Sequence, residues 1–153
     1  MAPLTKPMQQ LITQFSAGAV ATVNDDGTPA VSPKATFVVV DDSTLAFGSI
    51  RSPGTVANMR KRPAVEVNFI DVVTRRAVRV AGEGRVIEKG ADDAAVLLAK
   101  LEESFAPYIE HMSHFVRIDV THAELILSPA YDIGLTVDEL RRANLDKLNN
   151  ELL

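Results

Sequence analysis

Apolar positions recur along this chain at two spacings, and together they predict a strand-rich fold with a few helices. Met8, Leu11, Ile12 and Phe15 fall on one face of a helix over residues 5–15. Residues 18–24 and 30–40 read as strands joined by Asp25-Asp26-Gly27, a strong hairpin signal. A third strand follows over 44–49 and a short helix over 53–61. Residues 64–70 and 75–88 pair through the loop around Asp71. Residues 91–109 predict a helix with Ala94, Val96, Leu97, Leu98 and Leu101 on its buried side, and a long strand returns over 115–127. The tail over 136–153 reads as a helix opened by a capping box, Thr136 and Glu139. It is amphipathic, with Val137, Leu140, Leu148 and Leu152 toward one side. Short strands linked by hairpins predict a mainly β fold with accessory helices, a small antiparallel barrel that closes its sheet and hides its edges.

Composition fits one domain over 1–153. The 153 residues are 46% hydrophobic and 24% charged, ordinary globular usage. A net charge of −4 gives no general pull toward nucleic acid or anionic membranes, and neither is expected as a partner. The absence of cysteine excludes disulfides, thiolate nucleophiles and thiolate metal sites. No basic-then-apolar leader pattern and no apolar run of membrane-spanning length is visible, so a cytoplasmic location is expected.

Candidate chemistry concentrates in two segments. Ser49-Ile50-Arg51-Ser52-Pro53-Gly54-Thr55 links the third strand to the short helix. Ser52 suits the N-cap, and Pro53 the first helical position, where its missing N–H costs nothing. Gly54 admits a ligand close to the backbone, Thr55 adds a hydroxyl, and Arg51 lies just outside. Free N–H groups and the positive end of the helix dipole make such a turn a phosphate cradle, or simply a capped helix start with an exposed arginine. In the second segment, Ser32, Lys34 and Thr36 share one face of a strand whose other face carries Val31, Ala35, Phe37 and Val39. A cation flanked by hydroxyls suits a phosphate or a polarised carbonyl; the alternative is a solvated face. Pro33 argues for an edge or a bulge. On the strand from residue 75, Arg79, Glu83 and Arg85 share a face and suit cross-strand ion pairs, while Arg76 lies at its start, where it could reach out of the barrel; for Arg76 and Arg79 contact with an anionic cofactor is the alternative. His111, His114 and His122 show no metal-ligand spacing, and no metal site is expected.

The order of these segments resembles a known family. Gly18-Ala19-Val20-Ala21-Thr22-Val23, Asp25-Asp26-Gly27-Thr28-Pro29 and Val31-Ser32-Pro33-Lys34 look like the opening of the pyridoxamine 5′-phosphate oxidase-like, FMN-binding split-barrel family. Ser52-Pro53-Gly54-Thr55, Asn58 through Val65, and Val80 through Val86 are similar to its phosphate turn and following strands. The resemblance covers residues 17–128, and implies a split, Greek-key-like antiparallel β-barrel. It also implies FMN as cofactor, a homodimer with FMN at the subunit interface, and a small-molecule electron donor or acceptor. By resemblance, Lys34, Arg51, Ser52 and Thr55 hold the phosphate. Ser32, Thr36, Ser49 and Ile50 line the ribityl chain and ring, and Arg76 comes from the partner subunit. The implied activity is that of a flavin-dependent oxidoreductase, with no catalytic residue assigned. Deazaflavin-dependent reduction and non-catalytic flavin carriage are alternatives on the same barrel. The segment 128–153 lacks the Arg- and His-bearing substrate motif of true pyridoxamine phosphate oxidases, so vitamin B6 phosphate is not the expected substrate. Phe115 and Tyr131 are candidate ring or interface aromatics.

Overall fold

A computed structural model of the chain describes residues 3–152. Helix α1 (Lys6–Gln14) leads into β1 (Gly18–Val23) and β2 (Pro29–Lys34), the predicted hairpin. Its turn is closed by Gly27 N–H donating to Asn24 O, with Gly27 at φ 84°, a conformation that favours glycine. Then come β3 (Val38–Asp41), β4 (Thr44–Ser49), α2 (Pro53–Lys61), β5 (Ala64–Asp71), β6 (Arg76–Glu88), α3 (Ala94–Phe105), β7 (His114–Leu127) and α4 (Val137–Asn150). Residues 1, 2 and 153 of the proposed domain and tail helix lie outside the described residues.

The seven strands form one antiparallel sheet in the order β2-β1-β5-β6-β7-β4-β3. The expected continuous strand over 30–40 is instead two strands at opposite edges of that sheet. Residues 35–37 cross between them, so the barrel is split rather than closed by a ladder, and the expectation of hidden edges is corrected. The sequence supplies the reason. Pro29 and Pro33 deprive β2 of two ladder donors, which suits an edge. Phe37 then turns its ring inward (1% exposed), where it meets Phe47 and Phe69 with ring centroids 4.9 Å away in each case.

Two apolar clusters hold the fold. One fills the curled sheet, from Ile12 and Val20 to Phe69, Val78 and Ile118. The other lies under α3, built on Ala94, Leu97, Leu101, Met112 and Phe115. Residues 94, 97 and 101 share one helical face, whereas Val96, expected inside, is 59% exposed on the opposite face. The predicted long helix ends at Phe105 because Pro107 cannot continue it, and a 3-10 turn, Ala106–His111, follows. Gly82 sits at a bulge between β6 and β7, where a Cβ would lie 2.3 Å from Asp119 O. On the wet face Arg79 pairs with Glu124 directly across the ladder, and Arg85 with Asp119 at 3.6 Å. No helix among the described residues is long and apolar enough to cross a membrane.

Candidate functional site

The split creates the site. Thr36, in the link between the two edge strands, reaches β4 with its hydroxyl. Oγ1 accepts from Gly48 N–H and donates to Gly48 O, both at 3.0 Å. This clasp brings the Ser32–Thr36 segment against the turn that enters α2. Between them lies a cavity of about 360 Å³ lined by Ser32, Lys34, Thr36, Ile50, Arg51 and Ser52 of the expected residues.

Lys34 is the decisive group. It ends β2 with its side chain on the inward face and is 8% exposed. Its ammonium donates to Ser32 Oγ, and among the described residues it pairs with no carboxylate. Burial therefore holds its pKa below the ordinary 10.5. Arg51, exposed on the opposite rim, likewise has no ion-pair partner among the described residues. At the start of α2, Ser52 is buried at the N-cap and makes no side-chain cap bond, so its hydroxyl leaves the first-turn N–H groups unmet. A Cβ added at Gly54 would meet nothing within 4 Å, so the space before this turn is open. Two cations, hydroxyls and a helix N-terminus thus face one cavity without a balancing acid. This donor set fits a phosphate.

The remaining expected residues divide. Ser49 is buried at the end of β4 and borders an adjoining cavity of about 320 Å³ with Ile50, Ser52, Arg60 and His114. Its carbonyl accepts from Ser113 N–H at 2.7 Å. Thr55 is buried in the first turn of α2 and lines neither cavity. Arg76 is not brought to this site within the chain. It belongs to the β5–β6 turn, where Nε donates to Thr74 Oγ1 at 2.9 Å and Nη2 lies 3.6 Å from Asp71. Asp71 is itself buried, but N–H groups of Val73 and Thr74, the Thr74 hydroxyl and Arg76 outweigh that burial and hold its carboxyl below the usual range. Tyr131 donates its hydroxyl to Thr74 O, tying the same turn to the C-terminal segment. Phe115, expected as a ring contact, is 1% exposed in the core under α3 and cannot reach a ligand. The aromatics that do line the cavity are Phe105 and Tyr108. They sit more than fifty residues from Arg51 in sequence, and their helical spacing carried no sign of that proximity. Asn58 donates to Thr22 Oγ1 and Asn24 Oδ1, fixing α2 against the first hairpin.

A family model described as pyridoxamine 5′-phosphate oxidase matches residues 4–127. The chain belongs to that family. Solved structures agree on the fold. HupZ of Group A Streptococcus superposes with a TM-score of 0.69 at 22% identity, covering 82% of this chain and 95% of that one. HutZ, a heme storage protein from Vibrio cholerae, gives 0.66 at 17%, over 81% and 94% of the two chains. An FMN-binding protein from Syntrophomonas wolfei gives 0.64 at 12%, over 78% and 84%. No curated protein matches the chain. The fold is thus the FMN-binding split barrel.

Lys34→Met should separate stability from binding. Burying an ammonium without a counter-charge is destabilising, so the ligand-free variant should be as stable as the parent or more stable in urea denaturation. The lysine pKa is lower folded than unfolded. Its burial cost is therefore fully present below the folded pKa and is relieved as pH rises from there toward 10.5. The gap between the two proteins should narrow over that alkaline window. Lower stability of the variant at neutral pH would show that the ammonium is already satisfied.

Proposed function

We propose that the split of the barrel binds FMN and that the protein is a flavin-dependent oxidoreductase. The observation that carries this reading is the buried, acid-free Lys34 facing Arg51 and the uncapped start of α2 across one cavity. Lys34, Arg51 and Ser52 hold the phosphate, with Thr55 in the first helical turn behind them. Ser32 and Ile50 line the ribityl chain and ring. Thr36 and Ser49 shape that wall, since the Thr36 hydroxyl is already committed to Gly48. When bound, the flavin supplies the redox chemistry, and the chain's residues bind and orient it and limit its contact with water. Its donor or acceptor is a small molecule.

The reading includes a homodimer with the cofactor at the interface. Helix α4 has a formed capping box yet buries none of its residues. It is tethered through Asn144, whose amide donates to Val73 O at 2.7 Å; of its expected apolar side Leu140 is half-buried, while Leu148, its neighbour Leu145 and Leu152 just beyond the helix are 40% to 53% exposed. A second copy is the partner that would cover this side, by closed two-fold symmetry. The turn that α4 grips carries Arg76, which in this arrangement acts on the partner's phosphate.

Fluorescence titration tests the cofactor. FMN should bind far more tightly than riboflavin, which lacks the phosphate. Replacing Lys34 or Arg51 by Ala should weaken FMN by about 1.5–3 kcal/mol, the range for charge-assisted bonds, while riboflavin changes little and circular dichroism is unaltered. Equal affinity of the parent protein for the two ligands would sink the phosphate assignment.

Sedimentation at micromolar concentration tests the dimer. The species should have twice the 16.6 kDa chain mass, and Leu148→Glu should shift it toward the monomer. A monomer that holds FMN tightly would remove the shared site and the role of Arg76.

A further inference from the structure

We infer that Tyr108 is the residue that contacts the planar ring of the bound cofactor, with Phe105 beside it, so that the cavity selects a phosphate ligand carrying a conjugated ring. This rests on the FMN reading and deepens it. Phe105 and Tyr108 are the aromatic residues of the cavity whose other lining includes Lys34, Arg51 and Ser52. Tyr108 is 53% exposed, and among the described residues its hydroxyl has no hydrogen-bond partner and its ring no aromatic neighbour. A phenol is also a rigid amphipathic surface that loses little entropy when a flat partner settles on it.

The position of this wall is fixed rather than incidental. Pro107 stops α3 from continuing and lies in the first turn of the 3-10 segment that carries Tyr108. Ile109 O accepts from Lys89 Nζ at 3.0 Å and from Met112 N–H at 3.1 Å. Met112 is 2% exposed and packs on Gly48, where a Cβ would meet its sulfur at 2.0 Å. Gly48 is also the residue that Thr36 clasps. The aromatic wall and the polar wall are therefore referenced to the same point of β4. At about 360 Å³ the cavity lies within the range of small-molecule sites, with charge on one side and aromatic carbon on the other.

The test is the fluorescence of bound FMN together with its affinity, in the full chain. A phenol in contact with an excited flavin ring quenches it by donating an electron, and a phenylalanine ring stacks without doing so. In the parent protein bound FMN should be weakly fluorescent. Tyr108→Phe should hold FMN about as tightly but with clearly brighter emission. Tyr108→Leu should be bright and bind roughly 3- to 10-fold more weakly, the span of one aromatic contact. Both variants should keep the parent's preference for FMN over riboflavin, because neither touches the phosphate. Since Tyr108 is exposed and bonds nothing, melting temperatures should be unchanged. If the parent prefers FMN but both variants match it in emission and affinity, Tyr108 does not meet the ring and only this inference falls. If the parent binds no FMN, the cofactor reading falls and takes this inference with it.

Discussion

The two hydrogen bonds between Thr36 and Gly48 are the constraint on which the site depends. A seven-stranded antiparallel sheet with free edges at β2 and β3 can curl to many degrees. Here one hydroxyl, donating to a carbonyl and accepting from the N–H of the same residue, sets how far the edge carrying Lys34 stands from the turn carrying Arg51. Phe37, one residue on, drives its ring into the core and anchors the crossing from inside. A side chain at Gly48 would have to displace Met112, which occupies that space. A polar clasp, an aromatic anchor and a close backbone approach thus meet at the split, and the cavity is the gap they leave.

The contents of that gap run against stability. Most buried ammonium groups are paired, and an unpaired one is tolerated only where something is gained. Lys34 is instead accompanied by a serine hydroxyl, with the open start of α2 close by. Several exposed cations elsewhere are neutralised by acids. Lys61 and Arg62 both pair with Asp25, and Arg60 with Glu88. Among the described residues Lys6, Arg75, Lys89, Arg142 and Lys147 pair with no acid either, but all of them are exposed; a buried ammonium without an acid is what local electrostatics would look like if an anion completed the site.

Much of this was legible in the sequence, because it depends on local rules. The Asp-Asp-Gly turn, the Ser-Pro-Gly helix start, the tail's capping box and the edge character of Pro33 follow from backbone preferences of single residues. Two-residue periodicity also put Ser32, Lys34 and Thr36 together. It could not reveal that the run from Val31 to Val40 changes edge midway, since both halves keep strand-like, apolar composition. Nor could it show that the polar face is the buried one, while Val31 is 67% exposed. Tyr108 and Phe105 were invisible for another reason. Their meeting with Lys34 depends on where Pro107 breaks a helix and on how Met112 docks on Gly48, contacts made far apart along the chain. Val96 was misplaced because an all-apolar helical stretch does not declare which side is inside; the spacing of 94, 97 and 101 decides it.

The central claim is that this cavity holds a flavin phosphate, on a fold shared with both an FMN-binding protein and a heme storage protein. The absorption spectrum of the purified protein, with the mass of whatever it releases on denaturation, tests that most directly. The account predicts the paired near-ultraviolet and blue bands of an oxidised flavin and release of FMN. A single intense Soret band, with release of a haem, would contradict it.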